Sequence, residues 1–279
     1  MKGKKHMFKL FFITNKLDIA LAAEKAGVDR IWIDLEVLGK EERQKNLDSV
    51  KSRHSVEDIG IISSKLTKSE IMVRVNPWNP NSEDEIEKVI QAGTQVIMLP
   101  YWKTRTEVEK FIHCVNGRCK VNLLLETKEA VDCIDSIIEL SGIDEIHIGL
   151  NDLQISYNAP YMFEPYANGL LDTLATKFNR ANIPFGVGGI GKFGAGFIPS
   201  PEQLIIEQHR LGSTATILSR SFCNVDKVGL ENVENILIEN VGYFRKLEME
   251  INEFSEEKII NNHLLVVKEI NNIIDNIKE

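Results

Sequence analysis

The stretch IHIGLNDLQIS, residues 146–156, decides how the chain is read. An apolar, β-branched run reaches Gly149 and gives way at once to Leu150, Asn151 and Asp152. A buried strand that ends in a glycine and a polar residue is the signature of a strand feeding a loop and helix. Moving outward, the same phrase recurs. Strand candidates lie at 8–14 (FKLFFIT), 29–36 (DRIWIDLE), 71–76 (IMVRVN) and 95–100 (QVIMLP). Four more lie at 120–126 (KVNLLLE), 144–149 (DEIHIG), 184–189 (PFGVGG) and 214–220 (TATILSR). Amphipathic segments separate them. LDIALAAEKAG closes at Gly27, and SEDEIEKVIQAG opens with Ser82 and Glu85 in capping-box spacing. Strand alternating with helix, eight times in about 220 residues, predicts an α/β fold of the (β/α)8 TIM-barrel type. The glycines of 186–196 do not have the spacing of a dinucleotide turn that opens a helix, which disfavours an open doubly wound sheet.

The chain has 279 residues, 43% hydrophobic and 27% charged, enough apolar material for one large core. Its net charge of −8 argues against tracking of nucleic-acid phosphates. No apolar run approaches the roughly 20 residues of a membrane span. A cytoplasmic protein with no membrane partner is expected. Cys114, Cys119, Cys133 and Cys223 form no CxxC pair, so reduced thiols are expected. Residues 1–225 are assigned to the barrel and 226–279 to a C-terminal helical extension. Within it, Ile259, Ile260, His263, Val266, Val267, Ile270, Ile273, Ile274 and Ile277 make one apolar stripe. The eight-unit barrel does not need that helix. It is expected to cap the barrel or to pack on a second copy, making a homo-oligomer.

In a TIM barrel the chemistry sits where strands run out into βα loops. Here those ends carry Asp34 and Glu36, Arg74 and Asn76, Tyr101, Glu126, Asn151 and Asp152, and Ser219 and Arg220. Alternation places Ile31, Ile33 and Leu35 against the helices and Trp32, Asp34 and Glu36 inside. By the same count Arg74 is inside, where it needs anionic partners. Glu126 and Asp152 end neighbouring strands about 4.8 Å apart. They can share a hard divalent cation such as Mg²⁺ or Mn²⁺, or can be solvated rim carboxylates or ion-pair partners.

Five motifs in order, GVDRIWIDLE, RVNPWNP, AGTQVIMLPYW, LLLETKEAV and GIDEIHIGLNDL, resemble the HpcH/HpaI aldolase and citrate lyase β-subunit family over residues 15–225. The resemblance implies a TIM barrel and a divalent metal, Mg²⁺ or Mn²⁺, held by Glu126 and Asp152. It implies that Arg74 engages the carboxylate or enolate oxygen of a pyruvate-like 2-oxo acid, with Gly149 and Asn151 as further substrate contacts. The expected activity is metal-dependent carbon–carbon cleavage or formation through an enolate, a keto-deoxy sugar acid being one candidate substrate. No lysine at the strand ends suits a Schiff base. In the family, C-terminal helices commonly reach a neighbouring subunit. The alternatives are cleavage of an acyl-CoA, as in citrate lyase, and a silent barrel that binds metal and a carboxylate. Two positions depart from the aldolase pattern. Val37 replaces a histidine after the acidic pair, and Leu124 replaces a glutamine two residues before the metal glutamate. Asp34, Glu36, His147 or a water on the metal are the substitutes for the missing base, although a barrel-interior His147 also suits a core role. His209 and Arg210 fall at the opposite, stabilising face. Lys40, Arg43 and Gln44 are either a solvated helix start or an anion contact.

Overall fold

The computed structural model describes residues 7–39 and 54–278. Eight parallel strands close into a barrel in sequence order. The first half runs β1 (Lys9–Ile13), α1 (Leu17–Ala26), β2 (Arg30–Asp34), α2 (Val56–Ser63), β3 (Glu70–Arg74), α3 (Ser82–Gln91), β4 (Val96–Leu99) and α4 (Arg105–Val115). The second runs β5 (Lys120–Leu125), α5 (Lys128–Asp132), α6 (Ile134–Ile137), β6 (Glu145–Ile148), α7 (Leu150–Tyr157), α8 (Glu164–Ala167), α9 (Leu170–Ala181), β7 (Phe185–Ile190), α10 (Pro201–Leu211) and β8 (Ala215–Leu218). After the barrel come α11 (Val225–Val228), α12 (Leu230–Ile251) and α13 (Glu256–Lys278). All eight expected strands are present. Lys40, Arg43 and Gln44 lie outside the described residues.

The alternation read from the strands separates two cores. Phe11, Trp32, Met72, Val96, Met98, Leu124 and Ala215 fill the barrel interior. Ile31, Ile33, Ile71 and Val73 face the helices in the larger outer core. Gly27 ends α1 in the left-handed region at φ 95°, as expected for a C-cap glycine. The capping box expected at Ser82 and Glu85 does not form. Asn81 is the N-cap, and Ser82 is already helical. The Glu85 carboxylate instead accepts from the backbone N–H and Nδ2 of Asn76, at 3.2 and 2.8 Å. A tertiary partner at the end of β3 has outcompeted the local cap.

The lower end of the barrel is closed by charge. The buried Arg30 lies over the Phe11 ring and pairs with Glu145 and with Glu70, the latter at 2.7 Å. Burial alone would raise the Glu70 carboxyl, but hydrogen bonds from Lys120 and Arg30 hold it down at about 2. Within the C-terminal extension α12 packs on α1 and reaches this end, where Arg245 bonds the Phe8 carbonyl and Asp29. The last helix, α13, packs along α8 and α10, burying Val266, Ile270 and Ile274.

Candidate active site

Strand register brings the acidic pair and the arginine together. Asp34 pairs with Arg74 across β2 and β3. The Arg74 Nε and Nη2 atoms donate to the two Asp34 oxygens at 2.8 and 2.7 Å. Its Nη1 lies 3.3 Å from Glu36 Oε2, and its guanidinium lies 5.0 Å from the centre of the Trp32 ring. This is the anionic company expected of a buried arginine. Burial opposes its charge, yet Asp34 and Glu36 raise its pKa above the ordinary arginine value, so the cation is fixed. Asp34 is thoroughly committed, since its Oδ1 also accepts the Glu36 backbone N–H at 3.2 Å.

Glu126 and Asp152 are both buried, at 3% and 8% exposure. Leu125 and Ile148 are register partners, so the two strands deliver their following residues to the same rim. Glu126 is oriented from both sides. Its Oε1 accepts the Tyr101 backbone N–H at 3.0 Å. On the other side a Cβ placed on Gly149 would sit 2.9 Å from its Oε2, so any side chain there would displace the carboxylate. Gly149 is also the N-cap of α7, which carries Asn151 and Asp152 in its first turn. Among the described residues no group of three or more His, Cys, Asp or Glu side chains could hold a metal. The donor set is two hard carboxylates, which fits an ion such as Mg²⁺ that takes one or two carboxylates and completes its shell with water and substrate oxygens.

The backbone after Glu36 is held by a residue whose role the strand pattern did not reveal. Asn76 Oδ1 accepts the backbone N–H groups of both Val37 and Leu38 at 2.9 Å, while its Nδ2 is anchored on Glu85. The Val37 side chain is 65% exposed. A second such residue is His54, which comes just before α2. Its Nδ1 accepts the Asp34 backbone N–H at 2.9 Å. An imidazole that accepts at Nδ1 carries its proton on Nε2, so in this seat His54 is a donor rather than a base. The only sequence signal for it is the Ser55 and Asp58 helix start that follows, where Ser55 N–H donates to Asp58 at 2.7 Å.

The other sequence candidates fall elsewhere. His147 is fully buried inside the barrel, 5.7 Å from the Phe11 ring. Burial pushes its pKa down to about 4. Arg210 bonds Asp172 and Glu207 at 2.6 and 3.0 Å on the helical shell, a structural network. The four cysteines are free thiols. Among the described residues no helix is long and apolar enough to cross a membrane.

A family model for HpcH/HpaI aldolase/citrate lyase matches residues 7–161. The chain belongs to that family. Its named activities are those of lyases and aldolases. No curated protein sequence matches the chain. Among solved structures, the HpcH/HpaI aldolase of Desulfitobacterium hafniense DCB-2 is 13% identical, aligned over 82% of this chain and 93% of its own, with a TM-score of 0.61. An HpcH/HpaI aldolase/citrate lyase family protein of Burkholderia cenocepacia J2315 is 14% identical over 81% and 95%, at 0.60. The citrate synthase SbnG is 18% identical over 77% and 86%, at 0.56. At these identities the structures show a shared fold.

Proposed function

We propose that the protein is a divalent-metal-dependent carbon–carbon lyase acting on a 2-oxo acid through a pyruvate enolate. The observation that carries this reading is the part-buried Arg74, locked by Asp34 and Glu36 at the same barrel mouth as the buried pair Glu126 and Asp152. Glu126 and Asp152 would hold Mg²⁺ or Mn²⁺, which when bound supplies a Lewis acid for the developing enolate charge. Arg74 has five N–H donors, of which two bond Asp34 and one faces Glu36, which leaves two for a substrate carboxylate or enolate oxygen. The first N–H groups of α7, through Asn151, lie outside its helical ladder and carry the positive end of its dipole. They suit the same anion.

In the cleavage direction the C3–C4 bond of a 4-hydroxy-2-oxo acid breaks, and its electrons become the enolate. The 4-hydroxyl proton leaves to a base as the aldehyde forms, and a proton returned to C3 gives pyruvate. Glu36 is the better base, because its single contact with Arg74, at 3.3 Å, is looser than the two-point pairing of Asp34 at 2.8 and 2.7 Å. The test is pyruvate release from a panel of 4-hydroxy-2-oxo acids, with and without Mg²⁺ or Mn²⁺. Release that needs the ion supports the reading. No release with either ion, from any member of the panel, removes it.

A further inference from the structure

The end of β2 is pinned by a side chain at the point where its neighbouring strand has run out. β1 stops at Ile13, and its last rung with β2 is the Thr14 N–H on the Trp32 carbonyl at 3.2 Å. The amides of a central strand alternate between its two neighbours, so the next β2 amide due to face β1 is that of Asp34. The amide after it goes the other way, from Leu35 N–H to the Arg74 carbonyl at 2.9 Å. Asp34 N–H meets the imidazole of His54, donating to Nδ1 at 2.9 Å. A rigid helix start brings the ring there. Ser55 N–H donates to Asp58 Oδ2 at 2.7 Å within a capping box, and the same oxygen accepts from Asn15 Nδ2, just past β1, at 3.1 Å. Ile59 and Ile62 then bury α2 in the outer core. The start of α2 is therefore fastened to the ends of β1 and β2 at once.

Asp34 in turn carries the charged side of the site. Its oxygens take the Arg74 fork at 2.8 and 2.7 Å, and Oδ1 also accepts the Glu36 N–H at 3.2 Å. The cation and the base of the proposed reaction both take their places from this one residue. Reacting groups must be held to within about 0.5 Å, which requires that the residues behind them be locked as well. We infer that His54 is a positioning residue: by accepting the Asp34 amide at Nδ1 it fixes the Asp34–Arg74 pair, and with it Glu36, for the 2-oxo acid. This rests on the 2-oxo-acid lyase reading and deepens it. The role belongs to one atom. An amide oxygen at the place of Nδ1 can accept the same N–H, and a group at the place of Nε2 cannot.

The side-chain oxygen of asparagine reaches about as far as Nδ1, and that of glutamine about as far as Nε2. The test therefore compares wild type with His54→Asn, His54→Gln and His54→Ala in two measurements. The first is the Mn²⁺-dependent exchange of the pyruvate C3 protons for deuterium, which needs the enolate and no aldehyde half. The second is hydrogen exchange at the Asp34 amide in the metal-free proteins. His54→Asn should keep pyruvate exchange within about threefold of wild type, and keep the Asp34 amide protected, because one hydrogen bond has replaced another. His54→Gln and His54→Ala should lose on the order of 10²-fold in pyruvate exchange, the cost of about 1 Å at a reacting group, and should lose the protection. Wild-type exchange of pyruvate in His54→Gln or His54→Ala overturns the role, as does an Asp34 amide that stays protected in them. Rescue by glutamine and not by asparagine makes Nε2 the working atom and overturns it too. If His54→Ala fails to fold, the asparagine and glutamine variants decide between these outcomes. A wild type that exchanges no pyruvate protons overturns the lyase reading itself, and the role with it, a result distinct from the others.

Discussion

At the scale of single residues, the site is a set of buried charges that hold one another. Glu126 and Asp152 are buried carboxylates, one just past β5 and the other in the first turn of the helix that follows β6. Replacing either with alanine should abolish Mn²⁺ binding in calorimetry and leave the far-UV spectrum unchanged. Unaltered affinity in both variants would take the metal away from this pair. Arg74→Lys replaces a planar fork that spans both Asp34 oxygens with a single ammonium. It should cost about 2–4 kcal/mol of transition-state stabilisation, comparable to losing an oxyanion donor. A near wild-type kcat/KM would make Arg74 structural. His147 offers a pH test away from the chemistry. Burial lowers its pKa from 6.5 to about 4 in the folded state. Between those values the unfolded chain binds the proton more readily. The native state should therefore lose on the order of 3 kcal/mol as pH falls from 6.5 to 4, and none above that window. His147→Gln should flatten this part of the stability profile, measured by denaturant unfolding at each pH. An unchanged slope would assign the loss to other groups.

At the scale of elements, the barrel positions its site through loops that one side chain can fasten. Asn76 lies two residues past β3 and ties the residues after β2 to the first turns of α3, through Val37, Leu38 and Glu85. Asn76→Ala should release the Val37 and Leu38 amides to fast hydrogen exchange and lower activity through the displaced Glu36. The stability loss should be only about 1–2 kcal/mol, because exposed amides can turn to water. Retained protection at those two amides would show that the loop needs no latch. The same contact explains where sequence reading stopped. Strand and helix periods are local, and the inward set of Trp32, Asp34 and Arg74 follows from counting by two along β2 and β3. The Asn76 clamp and the His54 contact join residues about 20–40 positions apart in the chain, and no period in the sequence marks them. The Ser82 cap misread is the converse case. Its local signal was correct in form, and a distant amide claimed the carboxylate.

At the scale of the whole molecule, the helix with no place in the eight βα units has found one on the shell. The buried half of its stripe, Val266, Ile270 and Ile274, covers α8 and α10. The buried Glu207 on α10 fastens it by accepting from Asn262 at 3.1 Å and lying 2.8 Å from His263 Nδ1, and Gln203 reaches Glu269 at 2.9 Å. Ile260, Leu264 and Leu265 remain outside, between 47% and 60% exposed. Together with Ile277 on the same helix they form apolar surface that the chain's own barrel does not cover. A second copy of the chain would remove it from water, so a homo-oligomer using residues 254–278 is expected. Truncation at 252 tests this poorly, because it also strips the cover from α10. Leu264→Glu with Leu265→Glu is the cleaner change, since it leaves Val266, Ile270 and the Glu207 anchor in place. The double variant should fold with an unchanged melting profile at low concentration and show a smaller mass by light scattering than the wild type. If both proteins have the same mass, the exposed leucines face solvent and the helix serves only its own barrel.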